Sequence, residues 1–500
     1  MTSRDLHSTA HSGEGLLSYL WYAVALICCL YVAVLNTLPL FYFDSVGYYL
    51  KGTNVLKMLG VLDPAASGAG GAGGGLGGAG GTEKAGIDGS HSVWYSLVLA
   101  IFAGFASLKL VPLVNAFLVL LTSTLVVRVV SRVHGYGLNL PFAASFPIIV
   151  AAVSSLPFYV AFLMPDILTP LLLLVVALLT GYARQMRWGE ILLALAIGTM
   201  AGVFHISHLP ILALLLPLSA LGALVVDLRR WWLAPLLVGI MLVLGVAEKS
   251  AFTIGVQEVT NEKVVYKPFI TVRLIEDGPA YRFMERTCPD ESIPTCALYE
   301  ALQWSDDPYR LTASHILLEE SPRLGSFLLM TPEDQRAVAE DQIPFFFRVL
   351  LNDPLGTSYA FLQNTWLQAM GFSVWMTLPH DDIITRAHGY GGDIVTLFVH
   401  GTLSADKSWL PAVERVHEVV YALSLLVIVY HLLRPAPFTA PILVLVVMVF
   451  LGILVNAFVC GGVSQPAARY GARVIWLLPY LAALLSLVRF AWLDRARFKE

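Results

Sequence analysis

Long apolar stretches separated by short polar breaks fill both ends of the chain, and the interval between them, 250–412, reads differently. A helical bilayer crossing takes about 20 predominantly apolar residues. Such stretches fall at 16–41, 107–131, 140–163, 166–183, 189–204, 209–226, 231–249, 413–433, 437–460 and 473–493. The fold class expected is an α-helical polytopic membrane protein with about ten transmembrane helices. In 250–412, Pro, Asp, Glu and Arg return to the density of a soluble protein. There TVRLIEDGPAYRFMERTC and TPEDQRAVAEDQIPFFFRVLLNDP carry helical periodicity with capping signals. This predicts a mainly helical soluble domain with its own core, between an N-terminal membrane domain, 1–249, and a C-terminal one, 413–500.

Lysine and arginine favour short cytoplasmic loops. Arg128 and Arg132 close the second stretch, Arg184 and Arg187 follow the fourth, Arg229 and Arg230 the sixth, and Arg434 the eighth. Arg489, Arg495, Arg497 and Lys499 lie at or after the end of the tenth. All fall on one side when both termini are cytoplasmic, which puts 250–412 outside. The apolar run 92–106 would invert everything after it if it crossed, so it is expected to lie at the outer membrane surface or to re-enter. It ends a long first external loop, 44–106. That loop opens with DSVGYYLKGTNVLKMLG, where Val46, Tyr49, Leu50, Val55, Leu56 and Leu59 form one apolar stripe with Lys51 and Lys57 elsewhere. This is the pattern of an interfacial helix. A low-complexity Gly-rich insertion, 66–82, follows and is assigned no function. Short loops without an N-glycosylation sequon point to a bacterial inner (cytoplasmic) membrane.

Composition agrees: 57% of the 500 residues are hydrophobic and 13% charged, against roughly 45–50% and 25% in soluble domains. A net charge of −4 gives nucleic acid no basic surface to bind. Of five cysteines, Cys28, Cys29 and Cys460 fall in apolar runs. Cys288 and Cys296 lie in the polar interval, where Pro289 and Pro294 can turn the chain back, and are expected to form a disulfide in an oxidising compartment. No cysteine–histidine spacing suggests zinc, and metal use stays open.

On this topology several costly polar residues gather at the outer face. Asp44 follows the first span, Asp166 sits in MPDIL at the turn between spans three and four, and His205 and His208 lie in FHISHLP. Arg469, Tyr470 and Arg473 stand in QPAARYGARVIWLLP at the start of the last span, against the positive-inside bias. Ionisable groups at membrane depth usually face a cavity or one another. Each has a plainer reading beside the functional one. Asp44 suits a helix end exposed to water, Asp166 an N-cap or first turn, the histidines a satisfied interfacial pair, and the arginines snorkelling to head groups. Two arginines at i,i+4 with a tyrosine between them also suit a phosphate.

FYFDSVGYY, the interfacial HSVWYSL, the external MPDILTPLLLL and RYGARVIWLLP together resemble the GT-C superfamily of membrane glycosyltransferases, over roughly 16–249 and 413–493. The likeness implies an acidic residue after the first span, here Asp44, and a sugar donor carried on a polyprenyl phosphate. No Asp-x-Asp stands at Asp44, which weakens the case for a divalent metal without settling it, and no WWD-type signature is present. The resemblance implies inverting transfer to a lipid or glycan acceptor, with Asp44 as base and Asp166 as second carboxylate. It implies Arg469 and Arg473 on the leaving phosphate beside Tyr470, and His205 and His208 on donor phosphate or sugar. The rival readings are a transporter or flippase and a non-catalytic envelope assembly protein. No inverted repeat or broken helix pair favours the former.

Overall fold

The computed structural model describes residues 3–61, 87–261, 263–290, 292–379, 401–434 and 437–497. The Gly-rich insertion, 66–82, lies outside them. The chain is an α-helical membrane protein. Among the described residues seven segments are long and apolar enough to cross a membrane: Ser18–Asn36, Leu110–His134, Pro165–Gln185, His208–Val226, Leu233–Val259, Ala440–Gly462 and Ala468–Arg495.

Helix α1 (Ser3–Asn36) leads to α2 (Phe43–Met58). The two-residue strand β1 (Ile87–Asp88) precedes α3 (Val93–Phe105). The bundle continues through α4 (Leu110–His134), α5 (Leu140–Ala151), α6 (Leu156–Ala161), α7 (Leu168–Tyr182), α8 (Trp188–Phe204), α9 (His208–Val226) and α10 (Leu233–Thr260). Every residue of α7 is buried. A helix apolar on all sides belongs at the centre of a bundle, and α4, α8 and α9 pack around it. The expected span 140–163 is broken. Ser154 and Ser155 interrupt it between α5 and α6, and both are buried. Ser155 donates its hydroxyl to the Ala472 carbonyl at 2.6 Å and its N–H to the Tyr421 hydroxyl at 3.2 Å. Tertiary bonds thus repay what the helix loses.

The expected boundary at 249/250 also shifts, because α10 runs on to Thr260 without a breaker. Strand β2 (Val264–Val265) then pairs in parallel with β1, Ile87 opposite Val264. A second body, soluble in composition, contains α11 (Phe269–Glu276), α12 (Pro279–Thr287), α13 (Cys296–Leu302), α14 (Ala313–Leu318), α15 (Pro332–Asn352) and α16 (Pro354–Met370). Its own core includes Val272, Met284, Leu298, Ile316, Val338 and Phe345. Cys288 and Cys296 are joined, sulfur to sulfur at 2.00 Å. Val374 and Leu378 belong instead to the core of the membrane part, so the interval 250–412 is not one unit.

The short α17 (Thr402–Ala405) precedes α18 (Leu410–Leu432), α19 (Ala440–Ala457), α20 (Ala468–Ile475) and α21 (Leu477–Arg497). The last apolar stretch is therefore two helices. Helix α16 docks on the start of α20, where a Cβ on Gly471 would stand 2.0 Å from the Gly371 carbonyl oxygen. Only glycine permits that approach.

The bundle has two polar ends. At one, Arg132 meets Glu190 at 2.5 Å, Arg184 meets Asp227 at 2.6 Å, and Arg495 donates to the His134 carbonyl at 3.2 Å. The other end, where these helices begin or their partners finish, holds the candidate site.

Candidate active site

Asp44 stands in the first turn of α2, where the helix dipole favours an anion. Arg469 stands in the first turn of α20, where the dipole disfavours a cation, so it needs a countercharge close by. The fold supplies one: an Arg469 guanidinium nitrogen donates to the Asp44 carboxylate at 3.1 Å and to the Tyr470 hydroxyl at 2.8 Å. The guanidinium also lies over the rings of Tyr42 at 4.6 Å and Tyr470 at 4.7 Å. Its Nε and second terminal nitrogen are buried with no partner. Such orphan donors are rare and costly.

The other Asp44 oxygen faces His91 Nε2 at 3.7 Å, and His91 Nδ1 faces Asp88 at 3.8 Å. Lys267 reaches Asp88 at 3.2 Å across the β1–β2 pairing. Burial alone would raise the Asp44 carboxyl, but Arg469 and His91 outweigh it and hold it well below the usual carboxylate range. Asp88 is likewise held low, Lys267 and His91 outweighing its burial.

Lys51, expected away from the apolar stripe of α2, is buried instead. Its ammonium donates to the Asp88 and His91 carbonyls at 3.0 and 2.8 Å and fixes the loop that carries His91. The stripe is only partly the buried face: Val46 and Leu56 are covered, while Leu59 is exposed. Helix α3 causes the difference. It starts where the Ser92 hydroxyl caps the Tyr95 N–H, and it presses on Gly52, where a Cβ would lie 2.0 Å from the Ser96 carbonyl oxygen.

Beneath this layer lies a closed one. Arg473, fully buried, donates to Asp166 at 3.1 Å, to the Asn456 side-chain oxygen at 2.7 Å and towards Cys460 at 3.0 Å. His208, fully buried, is engaged at both ring nitrogens, by the Ala201 carbonyl at 2.6 Å and the Thr169 hydroxyl at 2.6 Å. Asp166 sits in the turn Pro165–Ile167 with its side chain capping nothing there. His205 follows the end of α8, its Nδ1 on the Ser207 hydroxyl at 2.7 Å, so the two histidines do not share a helical face, though their rings lie 5.0 Å apart.

Every residue singled out from the membrane sequence thus comes to this one end, but in two layers. Asp44, 33% exposed, is the accessible member of the upper pair, and Arg469, 8% exposed, lies buried behind it. Arg473 and His208 are engaged by internal partners, while Asp166 meets Arg473 through one oxygen and keeps the other buried without a partner. The sequence does not single out His91, Asp88, Lys267 or Asn456, and it places Lys51 only off the apolar stripe. The single polar signal was His91 inside HSVWYSL. Behind His91 a cavity of about 30 Å³, bordered also by Glu248, Phe252 and Tyr266, has room for water. Among the described residues no group of three His, Cys, Asp or Glu is placed to hold a metal ion.

No family model, curated protein or solved structure matches the chain.

Proposed function

We propose that the chain is an integral membrane glycosyltransferase of GT-C type. It moves a sugar from a polyprenyl-phosphate donor to a lipid or glycan acceptor on the extracytoplasmic face of a bacterial inner membrane. In this reading it has about ten spans, with α5–α6, α8 and α18 added to the seven long ones and α3 left uncrossed, both termini cytoplasmic and the soluble body outside. One observation carries the proposal: the Asp44–Arg469 pair, partly open, in which the arginine keeps two buried N–H-bearing nitrogens without partners.

The chemistry follows from that pair. The anomeric carbon–oxygen bond to phosphate breaks, its electrons leaving on the phosphate. The acceptor oxygen bonds to the same carbon from the other side and gives its proton to a carboxylate. A carboxylate paired with arginine is a poor base. A donor phosphate draws the Arg469 guanidinium onto itself through its free nitrogens and so relieves Asp44 of its countercharge, which raises the affinity of Asp44 for a proton. Arg473, locked on Asp166 and Asn456, holds Tyr470 and the start of α20 in place rather than touching phosphate.

The test is transfer from a radiolabelled polyprenyl-phosphate sugar in proteoliposomes. Asp44→Asn should lower turnover by about 10²–10⁴-fold, the usual worth of a general base, with donor binding retained. Asp44→Asn protein that transfers normally would remove the proposal, as would a wild-type chain that bound no polyprenyl phosphate.

A further inference from the structure

The soluble body carries an apolar stripe that its own fold does not cover. On α15, Phe347 and Leu351 are 53% and 82% exposed, one helical turn apart. On α16, Leu355, Tyr359, Leu362 and Trp366 are 83%, 67%, 69% and 64% exposed. Their spacing of four, three and four residues puts them on one face. The helices meet at Asn352 and Asp353, and Asp353 caps α16 by accepting the Gly356 N–H, so the two apolar faces flank a polar hairpin tip. Six large apolar side chains exposed this far on one hairpin are more than scattered surface residues, and such contiguous apolar surface marks a protein or membrane contact.

The opposite face of α16 shows where this stripe sits. Thr357, Ala360, Asn364 and Gln368 are buried. Of these, Asn364 and Gln368 press on Gly461, and their neighbours Phe361 and Thr365 press on Gly462, the two glycines that end the span Ala440–Gly462. A Cβ on Gly461 would stand 2.3 Å from the Gln368 Cβ, so α16 rests directly on the end of a membrane helix. Its uncovered face is therefore at the level where hydrocarbon gives way to head groups. Tyr359 and Trp366, with apolar bodies and polar tips, are the residue types that favour that level.

We propose that the α15–α16 hairpin lies in the bilayer interface, its apolar stripe sunk into the leaflet on the side of the soluble body. The occupant of the stripe is lipid. This does not depend on the glycosyltransferase reading, although the two meet in one helix, since Gln368 on the covered face of α16 holds the start of α20.

The test uses the full chain with Cys28, Cys29 and Cys460 replaced by Ala, one copy per lipid nanodisc, and bimane attached after Leu362→Cys or, as control, Asp306→Cys. Bimane at 362 should be quenched by a lipid carrying a nitroxide near its head group and should lose quenching by aqueous iodide. Bimane at 306 should do the reverse. Iodide quenching at 362 equal to that at 306 would overturn the proposal. So would shielding from both quenchers, which would mean that protein covers the stripe. Trp366→Cys, labelled in the same way, provides a second reading where Leu362→Cys protein fails to fold.

Discussion

At the scale of single residues, the two arginines of α20 look alike in the sequence and differ in the structure because their surroundings differ. Arg473 has a buried partner in Asp166, and removing one member of such a pair strands the other charge. Arg473→Met should therefore destabilise by about 3–5 kcal/mol, whereas Arg473→Met with Asp166→Leu should recover most of that loss, since an apolar replacement of a whole pair is often neutral. Thermal unfolding in detergent reads both, and a double variant no more stable than the single one would mean that Arg473 is held by something other than Asp166. The sequence could not separate the arginines: Asn456 and Cys460, which engage Arg473, are isolated in an apolar run. Lys51 makes the same point from the other side. Burial pushes its ammonium down to about 8, with Asp88 and Glu248 opposing. In the unfolded chain it titrates near 10.4, so between those values the unfolded state binds the extra proton and stability rises with pH. The melting temperature of the native chain minus that of Lys51→Met should climb from about pH 8 to about pH 10. A flat difference would mean that Lys51 is as hydrated folded as unfolded.

Among the elements, hydrophobic runs located the membrane helices well, because apolar length is read locally, but not their breaks. Ser154–Ser155 and the α20–α21 junction interrupt apolar runs, and what stabilises the first, Ala472 and Tyr421, lies hundreds of residues away. The same is true of the loop before α20. The Gln368 side chain donates to the Ala467 carbonyl at 2.9 Å and accepts the Ala467 N–H at 2.8 Å, so a helix of the soluble body sets where α20 begins and hence where Arg469 points. Gln368→Ala leaves two backbone groups without partners, at about 1–3 kcal/mol each when buried. Gly471→Ala forces α16 and α20 apart. Both changes lie outside the Asp44–Arg469 pair, yet on the proposed glycosyltransferase reading both should lower turnover, and with it the melting temperature. Loss of stability with turnover unchanged in the surviving folded fraction would show that α16 does not position Arg469.

For the whole molecule, the arginine bias and the costly polar residues of the loops were separate observations in the sequence, and the fold turns them into two ends of one bundle. Arg132, Arg184 and Arg495 close one end on Glu190, Asp227 and the His134 carbonyl. Asp44, Asp166, Arg469 and Arg473 close the other. The strand pairing of 87–88 with 264–265 ties the first loop to the soluble body, so the body and Asp44 share a side of the membrane whatever the orientation. Orientation then rests on the arginines, which favour the cytoplasm where loops are short. Exposed positions at the two ends, Asp306 on the body and Gly189 beside Arg187, should differ in reach from outside the cell. In a chain lacking Cys28, Cys29 and Cys460, a membrane-impermeant maleimide applied to intact spheroplasts should label Asp306→Cys at once and Gly189→Cys only after lysis. The reverse order would put the body and the Asp44–Arg469 pair in the cytoplasm. The bundle would stand unchanged, but an extracytoplasmic acceptor could not reach the carboxylate.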